Sequence, residues 1–212
     1  MTTRGRFITV EGGEGVGKST NIDFLCSLIG DRGHPVLTTR EPGGTPTAER
    51  IRELLLDHHE EPLPDIAELL LFFAARSLHV THVIRPALEA GTWVICDRFT
   101  DTTRAYQGSG RGFDHATIDT LANWVHGGLQ PDLTLLLDAP SDVGMQRAGQ
   151  RSDADRLETE QASFHARVRA GYLELAAAEP QRFAVVDASQ PLAAVQARIE
   201  RAMRGLLDEK KP

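Results

Sequence analysis

Gly12-Gly13-Glu14-Gly15-Val16-Gly17-Lys18-Ser19 fits the spacing G-x-x-x-x-G-K-[ST], and it lies between an apolar run, Phe7 to Val10, and a stretch of helical periodicity. In that setting the glycines let the backbone curl until successive N–H groups face phosphate oxygens, and the following helix aims its positive end at the same point. Residues Gly12, Gly13, Glu14, Gly15, Val16 and Gly17 are therefore expected to cradle a nucleoside triphosphate, with Thr20 close behind them. Lys18 is expected to reach the β and γ phosphates, and the Ser19 hydroxyl to ligate a magnesium ion.

Outward from this loop, two further apolar runs have strand character, Trp93 to Cys96 and Leu133 to Leu137, with weaker candidates at His34 to Thr39 and Phe183 to Val186. Helical spacing occupies 18–30, 46–56, 65–90, 114–126, 159–178 and 191–208. Strands alternating with helices predict an α/β chain of the P-loop kinase class, with a central parallel five-stranded sheet flanked by helices. Gly33-His34-Pro35, Pro42-Gly43-Gly44, Gly127-Gly128 and Gln190-Pro191 turn the chain, and none is long enough to act as a linker between domains, so residues 1–212 read as a single domain. Gln146 to Glu160 is polar, dense in charge and without clear periodicity; it reads as a solvated loop or a short lid.

Composition narrows the partners. A formal charge of -7 over 212 residues, with a pI near 5.6, argues against a surface that tracks nucleic acid. Cys26 and Cys96 stand far apart, which suggests neither a disulfide framework nor a zinc site. Met1 to Arg6 lacks the apolar stretch of a signal peptide, and the longest apolar run, Leu69 to Ala75, is too short to cross a bilayer. A soluble cytoplasmic protein without a membrane partner is the expectation. A switch GTPase would need Asn-Lys-x-Asp, and neither Asn21 nor Asn123 is followed by lysine, which leaves a small-molecule kinase as the simplest class.

The acceptor side is read from strand ends and helix faces. Asp97-Arg98 follows an apolar strand, so both should emerge at the carboxyl edge of the sheet, where doubly wound folds bind ligands. Asp97 can hold the metal or its water shell, and Arg98 can clamp an acceptor phosphate and offset charge during transfer. Asp138 also ends a strand and competes for the metal, although Pro140 just beyond it favours a structural role. Phe72 and Arg76 are four apart and share a helix face, suited to stacking on a base and bonding its carbonyl edge; of Phe72 and Phe73, at least one belongs to the core.

With the P-loop, Arg40-Glu41-Pro42-Gly43-Gly44-Thr45, Leu71-Phe72-Phe73-Ala74-Ala75-Arg76, Asp97-Arg98-Phe99 and Ala105-Tyr106-Gln107-Gly108 in this order, the chain resembles the bacterial thymidylate kinases from about Arg6 to Leu207. The resemblance implies transfer of phosphate from ATP to dTMP with magnesium, and a homodimer. It implies that Phe72 stacks on thymine, Arg76 bonds its O4 and Gln107 reads the other base edge, with Thr103 bounding the pocket. Arg52 and Arg98 would hold the dTMP phosphate, Glu41 would face the sugar 3′-hydroxyl, and Tyr106 would fill the space of a ribose 2′-hydroxyl. Eukaryotic members carry an arginine within the P-loop, where this chain has Glu14 and Val16. The charge stabiliser then has to come from Arg147, Arg151 or Arg156 in the lid, and the mid-lid Arg151 is the choice, with Glu14 orienting metal or water. Phe99 departs from the tyrosine or histidine common at its position, and Asp187 to Pro191, with Gln190, resembles the loop that holds adenine. A kinase for another nucleoside monophosphate, or an ATP-sensing module without catalysis, are the competing readings.

Overall fold

The computed structural model describes residues 4–58, 60–149 and 155–208. Its centre is one parallel sheet of β1 (Phe7–Glu11), β2 (Val36–Arg40), β3 (Trp93–Asp97), β4 (Leu133–Asp138) and β5 (Phe183–Asp187), in the spatial order β2-β3-β1-β4-β5. The central strands β1 and β4 are buried along nearly their whole length, and a strand covered on both faces has no need of polar alternation. The edge strands β2 and β5 are partly exposed, which is why their apolar signal is weaker in the sequence.

Alternation along each strand feeds two opposite layers. Ile8, Val10, Ile95, Leu135 and Leu137 meet one layer, formed by α1 (Lys18–Gly30) and α9 (Leu192–Asp208) through Leu25, Ile29, Ile199 and Met203. Phe7, Val94 and Cys96 face the other way, onto Val80, Ile84, Leu88 and Phe99, while Leu136 meets Tyr106, Phe164 and Tyr172. The remaining helices are α2 (Pro46–Leu56), α3 (Asp65–His79), α4 (Arg85–Glu89), α5 (Thr100–Thr103), α6 (His115–His126), α7 (Ser141–Ala148) and α8 (Ala162–Ala178). Register pairs Val10 with Asp97 and Glu11 with Leu136, so the carboxyl ends of β1, β3 and β4 stand side by side. The chain fills one side of β1 with β2 and β3 and the other with β4 and β5. Ligands of such sheets bind in the crevice above the strand where the winding reverses.

Three stretches differ from the periodicity. The 65–90 helix is continuous but passes through a π-helical segment, Val80–Ile84, between α3 and α4. By length and composition the run Asp65–Glu89 would suffice to cross a membrane, yet it buries Glu68, Arg76 and His79 within the fold. Residues 100–110, assigned no helix from sequence, form α5 and a second π-helical segment, Arg104–Gly110. Threonines and glycines are poor helix formers, and here packing on α8 overrides propensity: a Cβ on Gly110 would lie 2.7 Å from the Phe164 ring. The segment 146–160 begins inside α7, and α8 begins three residues later than expected.

Candidate active site

Above β1 and β3 opens a cleft of about 240 Å³. One side is the loop Glu14 to Ser19, and the other carries Glu41, Pro42, Arg52, Leu56, Phe72, Thr102 and Tyr106. Asp97 and Arg98 also line it, with Asp155, Leu157 and Glu158.

The phosphate loop owes its path to glycine. Gly12 has φ 135°, and a Cβ there would come within 2.3 Å of the Leu137 carbonyl oxygen; Gly17 turns into α1 with φ 87°. Lys18 Nζ donates to the carbonyls of Gly13 at 2.8 Å and Gly12 at 3.3 Å. Burial lowers the Lys18 pKa, and the nearby Arg98 guanidinium adds to that.

Arg98 is the one non-glycine residue with positive φ, 68°, among the described residues. Such a conformation costs roughly 1–2 kcal/mol and persists only where neighbours enforce it. The Arg98 amide donates to Val10 O at 3.0 Å, and the next amide, Phe99, donates to Glu11 Oε1 at 2.8 Å. Held by this turn, Arg98 Nη1 donates to Gly12 O at 3.0 Å and Nη2 to Glu14, while Tyr106 donates to the same Glu14 oxygen at 2.9 Å. Burial alone would raise the Glu14 pKa, but the charges of Arg98 and Lys18 outweigh it and hold the carboxyl at about 2.

The opposite side of the cleft is built differently. Arg76 is 1% exposed and nearly saturated: Nε donates to Glu41 Oε2 at 2.6 Å, and Nη2 donates to Phe99 O and Thr103 Oγ1, both at 3.1 Å. Glu41 also meets His79 Nδ1 at 3.0 Å, and His79 Nε2 meets Thr39 Oγ1 at 2.6 Å. Burial would raise the Glu41 pKa, but Arg76 and His79 bring it below its ordinary value. Arg76 Nη1 is left as a buried donor without a partner. Gln107, also buried, donates Nε2 to Glu68 Oε1 at 2.8 Å and leaves Oε1 as an acceptor without a partner.

Of the residues expected from sequence, the cleft therefore brings together Glu14, Gly15, Val16, Gly17, Lys18, Ser19, Glu41, Arg52, Phe72, Asp97, Arg98 and Tyr106. Arg52 Nη1 donates to Pro42 O at 3.0 Å, across the cis bond between Glu41 and Pro42. Arg76, Thr103 and Gln107 stand behind the wall, and Thr102 rather than Thr103 is on it. Gly12, Gly13, Thr20 and Gln190 do not line the cleft; Gly12 and Gly13 line a smaller adjoining pocket, and Gln190 donates to Asp187 at 2.8 Å on an exposed turn. Asp138 is committed to Arg169 at 2.7 and 2.8 Å, a structural pair. Among the lid arginines, Arg147 donates to Ala188 O at 3.0 Å and Arg156 to Glu68 at 2.5 Å, while Arg151 lies outside the described residues.

Glu11, Glu68, His79 and Thr102 join this network without being among the residues expected from sequence. Glu68 had a signal: it stands four residues before Phe72 and eight before Arg76, an acid on a shared and otherwise apolar helix face. Glu11 had none, because a carboxylate at a strand end reads equally well as a surface residue.

The family described as thymidylate kinase matches residues 10–199. The chain is 57% identical over 205 residues to a thymidylate kinase of Methylococcus capsulatus, covering 97% of this chain and 98% of that one. It is 59% identical over 199 residues to one of Chromohalobacter salexigens, covering 93% and 94%. A crystal structure of thymidylate kinase from Ehrlichia chaffeensis superposes with a TM-score of 0.75 at 32% identity, over 94% of this chain and 99% of that one. The P-loop, the Arg98 turn and the buried Arg76 stand on a chain that these matches span almost from end to end, and the chain belongs to the thymidylate kinase family.

Proposed function

We propose that the chain, acting as a single domain over 1–212, transfers the terminal phosphate of ATP to dTMP with the help of magnesium. The observation that carries this reading is the pair of buried orphan atoms just behind the cleft wall, the donor Arg76 Nη1 and the acceptor Gln107 Oε1, on residues whose neighbours Glu41 and Tyr106 line the cleft. Thymine offers an acceptor at O4 next to a donor at N3, so the two orphans suit it; cytosine reverses both groups and would leave two buried mismatches. Phe72, one turn from Arg76, supplies the stacking face on the cleft wall. Glu41 would meet the 3′-hydroxyl, and Tyr106 would occupy the place of a ribose 2′-hydroxyl.

Phosphoryl transfer asks for alignment and neutralised charge more than for a strong base. Arg98 and Arg52 would hold the acceptor phosphate, and Lys18 the donor phosphates, each exchanging its present contacts with main-chain carbonyls and Glu14 for phosphate oxygens. A magnesium ion fits the donor set: Asp97 Oδ1 is buried without a partner, and Ser19 stands on the same wall. Among the described residues no three His, Cys, Asp or Glu side chains cluster as a metal site, which suits an ion held mainly by phosphates and water. When bound, that ion would neutralise charge on the transferring group. Arg151 is assigned to the same task from its mid-lid place in the sequence, before Asp153-Ala154-Asp155-Arg156. Ile66 and Leu70, one turn apart and half exposed on α3, together with the exposed Trp124 on α6, support a homodimer; we place the protein in the cytoplasm.

A coupled ADP-release assay with dTMP, dUMP, dCMP, dGMP and AMP tests the reading. The expected order is dTMP first, dUMP behind it by the roughly 10- to 200-fold that one methyl group allows, and dCMP lower still. Equal or faster turnover of dCMP or AMP contradicts it, and tight ATP binding without ADP release from any acceptor would mark an ATP-sensing module.

A further inference from the structure

The carboxylate of Glu68 is fully buried in α3, behind the cleft wall. Oε1 accepts from Gln107 Nε2 at 2.8 Å and Arg111 Nε at 3.3 Å, while Oε2 accepts from Arg111 Nη2 at 3.1 Å and Arg156 Nη2 at 2.5 Å. Burial would raise its pKa, but these donors bring it below the ordinary value, so it is ionised and accepts only. The two ends of a glutamine amide are nearly the same size, and shape alone does not decide which end faces a ligand. Beside an ionised carboxylate the choice is made by chemistry: the NH2 group turns to Glu68, and the carbonyl is left to accept.

Resting on the dTMP reading above, we propose that Glu68 is a positioning residue that sets base discrimination by fixing the orientation of the Gln107 amide. Without it, a half-turn of that amide would present a donor instead, which suits the N3 of cytosine. The surrounding arginines make the consequence of one substitution specific. In Glu68→Gln the new carbonyl is drawn to Arg111 and Arg156, which only donate, and the new NH2 is left facing Gln107. Gln107 then turns its own carbonyl toward residue 68 and its NH2 away, reversing what it offers to the base.

The test compares kcat/KM for dTMP and dCMP in the wild-type chain, Glu68→Gln, Gln107→Leu and the double variant, each checked for folding by thermal melting. Wild-type turnover of dTMP comes first, and its failure would sink the dTMP reading itself. Given that turnover, Glu68→Gln should lower the dTMP:dCMP ratio by about 10-fold or more, since Arg76 still opposes dCMP, and the change should vanish in the Gln107→Leu background. A purely structural role would depress both substrates alike; an unchanged ratio, or one that falls equally without Gln107, overturns the proposal. Should Glu68→Gln not fold, Glu68→Asp decides: its shorter carboxylate should let Gln107 go and lower the ratio severalfold, and an unchanged ratio there also overturns it.

Discussion

The two halves of the cleft solve opposite problems. On the side proposed to hold the base, the buried Arg76 is tied to Glu41, Phe99 and Thr103 and the buried Gln107 to Glu68, with Arg76 Nη1 and Gln107 Oε1 left over. On the phosphate side Lys18 and Arg98 rest on the main-chain carbonyls of Gly12 and Gly13 and on Glu14, contacts that phosphate oxygens can replace. Recognition gains from dipoles that cannot relax toward the wrong ligand, whereas transfer needs cations that exchange partners as charge moves. Arg98, with Gly12, Glu14 and the Tyr172 hydroxyl, has as many hydrogen-bond partners as Arg76, so the difference lies in how replaceable those partners are.

Substitutions should separate the halves. Arg98→Ala removes one of the two guanidinium groups proposed for the acceptor phosphate, and should lower kcat by roughly 10³-fold, with a smaller loss of stability than Arg76→Ala because the stranded Glu14 lies on the open cleft. Arg76→Ala breaks a buried pair and strands Glu41, so it should destabilise the chain by about 3–5 kcal/mol in a denaturant titration. If Arg98→Ala unfolds the protein and Arg76→Ala does not, the contrast is reversed. Arg151→Ala should lower kcat by roughly 10²-fold with a smaller effect on dTMP binding. A larger kcat loss in Arg147→Ala or Arg156→Ala would move the transfer role to a residue that the structure ties elsewhere.

A pH signature separates two carboxylates three residues apart. Glu14 is held at about 2 against an ordinary 4.5, so its contribution to stability is present above about pH 4.5 and is lost as pH falls toward 2. Glu11, raised to about 7 by burial and by Asp101, has the opposite linkage: stability declines as pH rises from 4.5 through 7. Melting curves against pH should lose the acid-side slope in Glu14→Gln and the near-neutral slope in Glu11→Gln. The same slopes in both variants would show that these groups are not the source.

The sheet was legible in the sequence because its central strands are apolar on both faces and end at a glycine loop or an acid. The helices that escaped, α5 and the π-helical segment after it, are held by packing on α8 rather than by their own residues. In the site, Lys18, Asp97 and Arg98 follow from where a strand must end, and Phe72 and Arg76 from a shared helix face. Spacing could not say that Arg76 and Gln107 sit behind the wall, or that Thr102 rather than Thr103 reaches it. A π-helical turn shifts which side chains face inward, and it begins one residue after Thr103. Glu68 and Glu11 were hidden for a further reason: a buried acid is defined by partners that arrive from distant stretches of the chain, such as Arg156 and Tyr172.

A crystal structure with dTMP bound tests the division most directly. Thymine should lie over Phe72, with Arg76 Nη1 at O4 and Gln107 Oε1 at N3, the Arg76–Glu41 pair undisturbed and the Arg98–Glu14 pair opened toward the phosphate. A base seated away from Phe72, or Arg76 released from Glu41 while Arg98 keeps all its present partners, would contradict it.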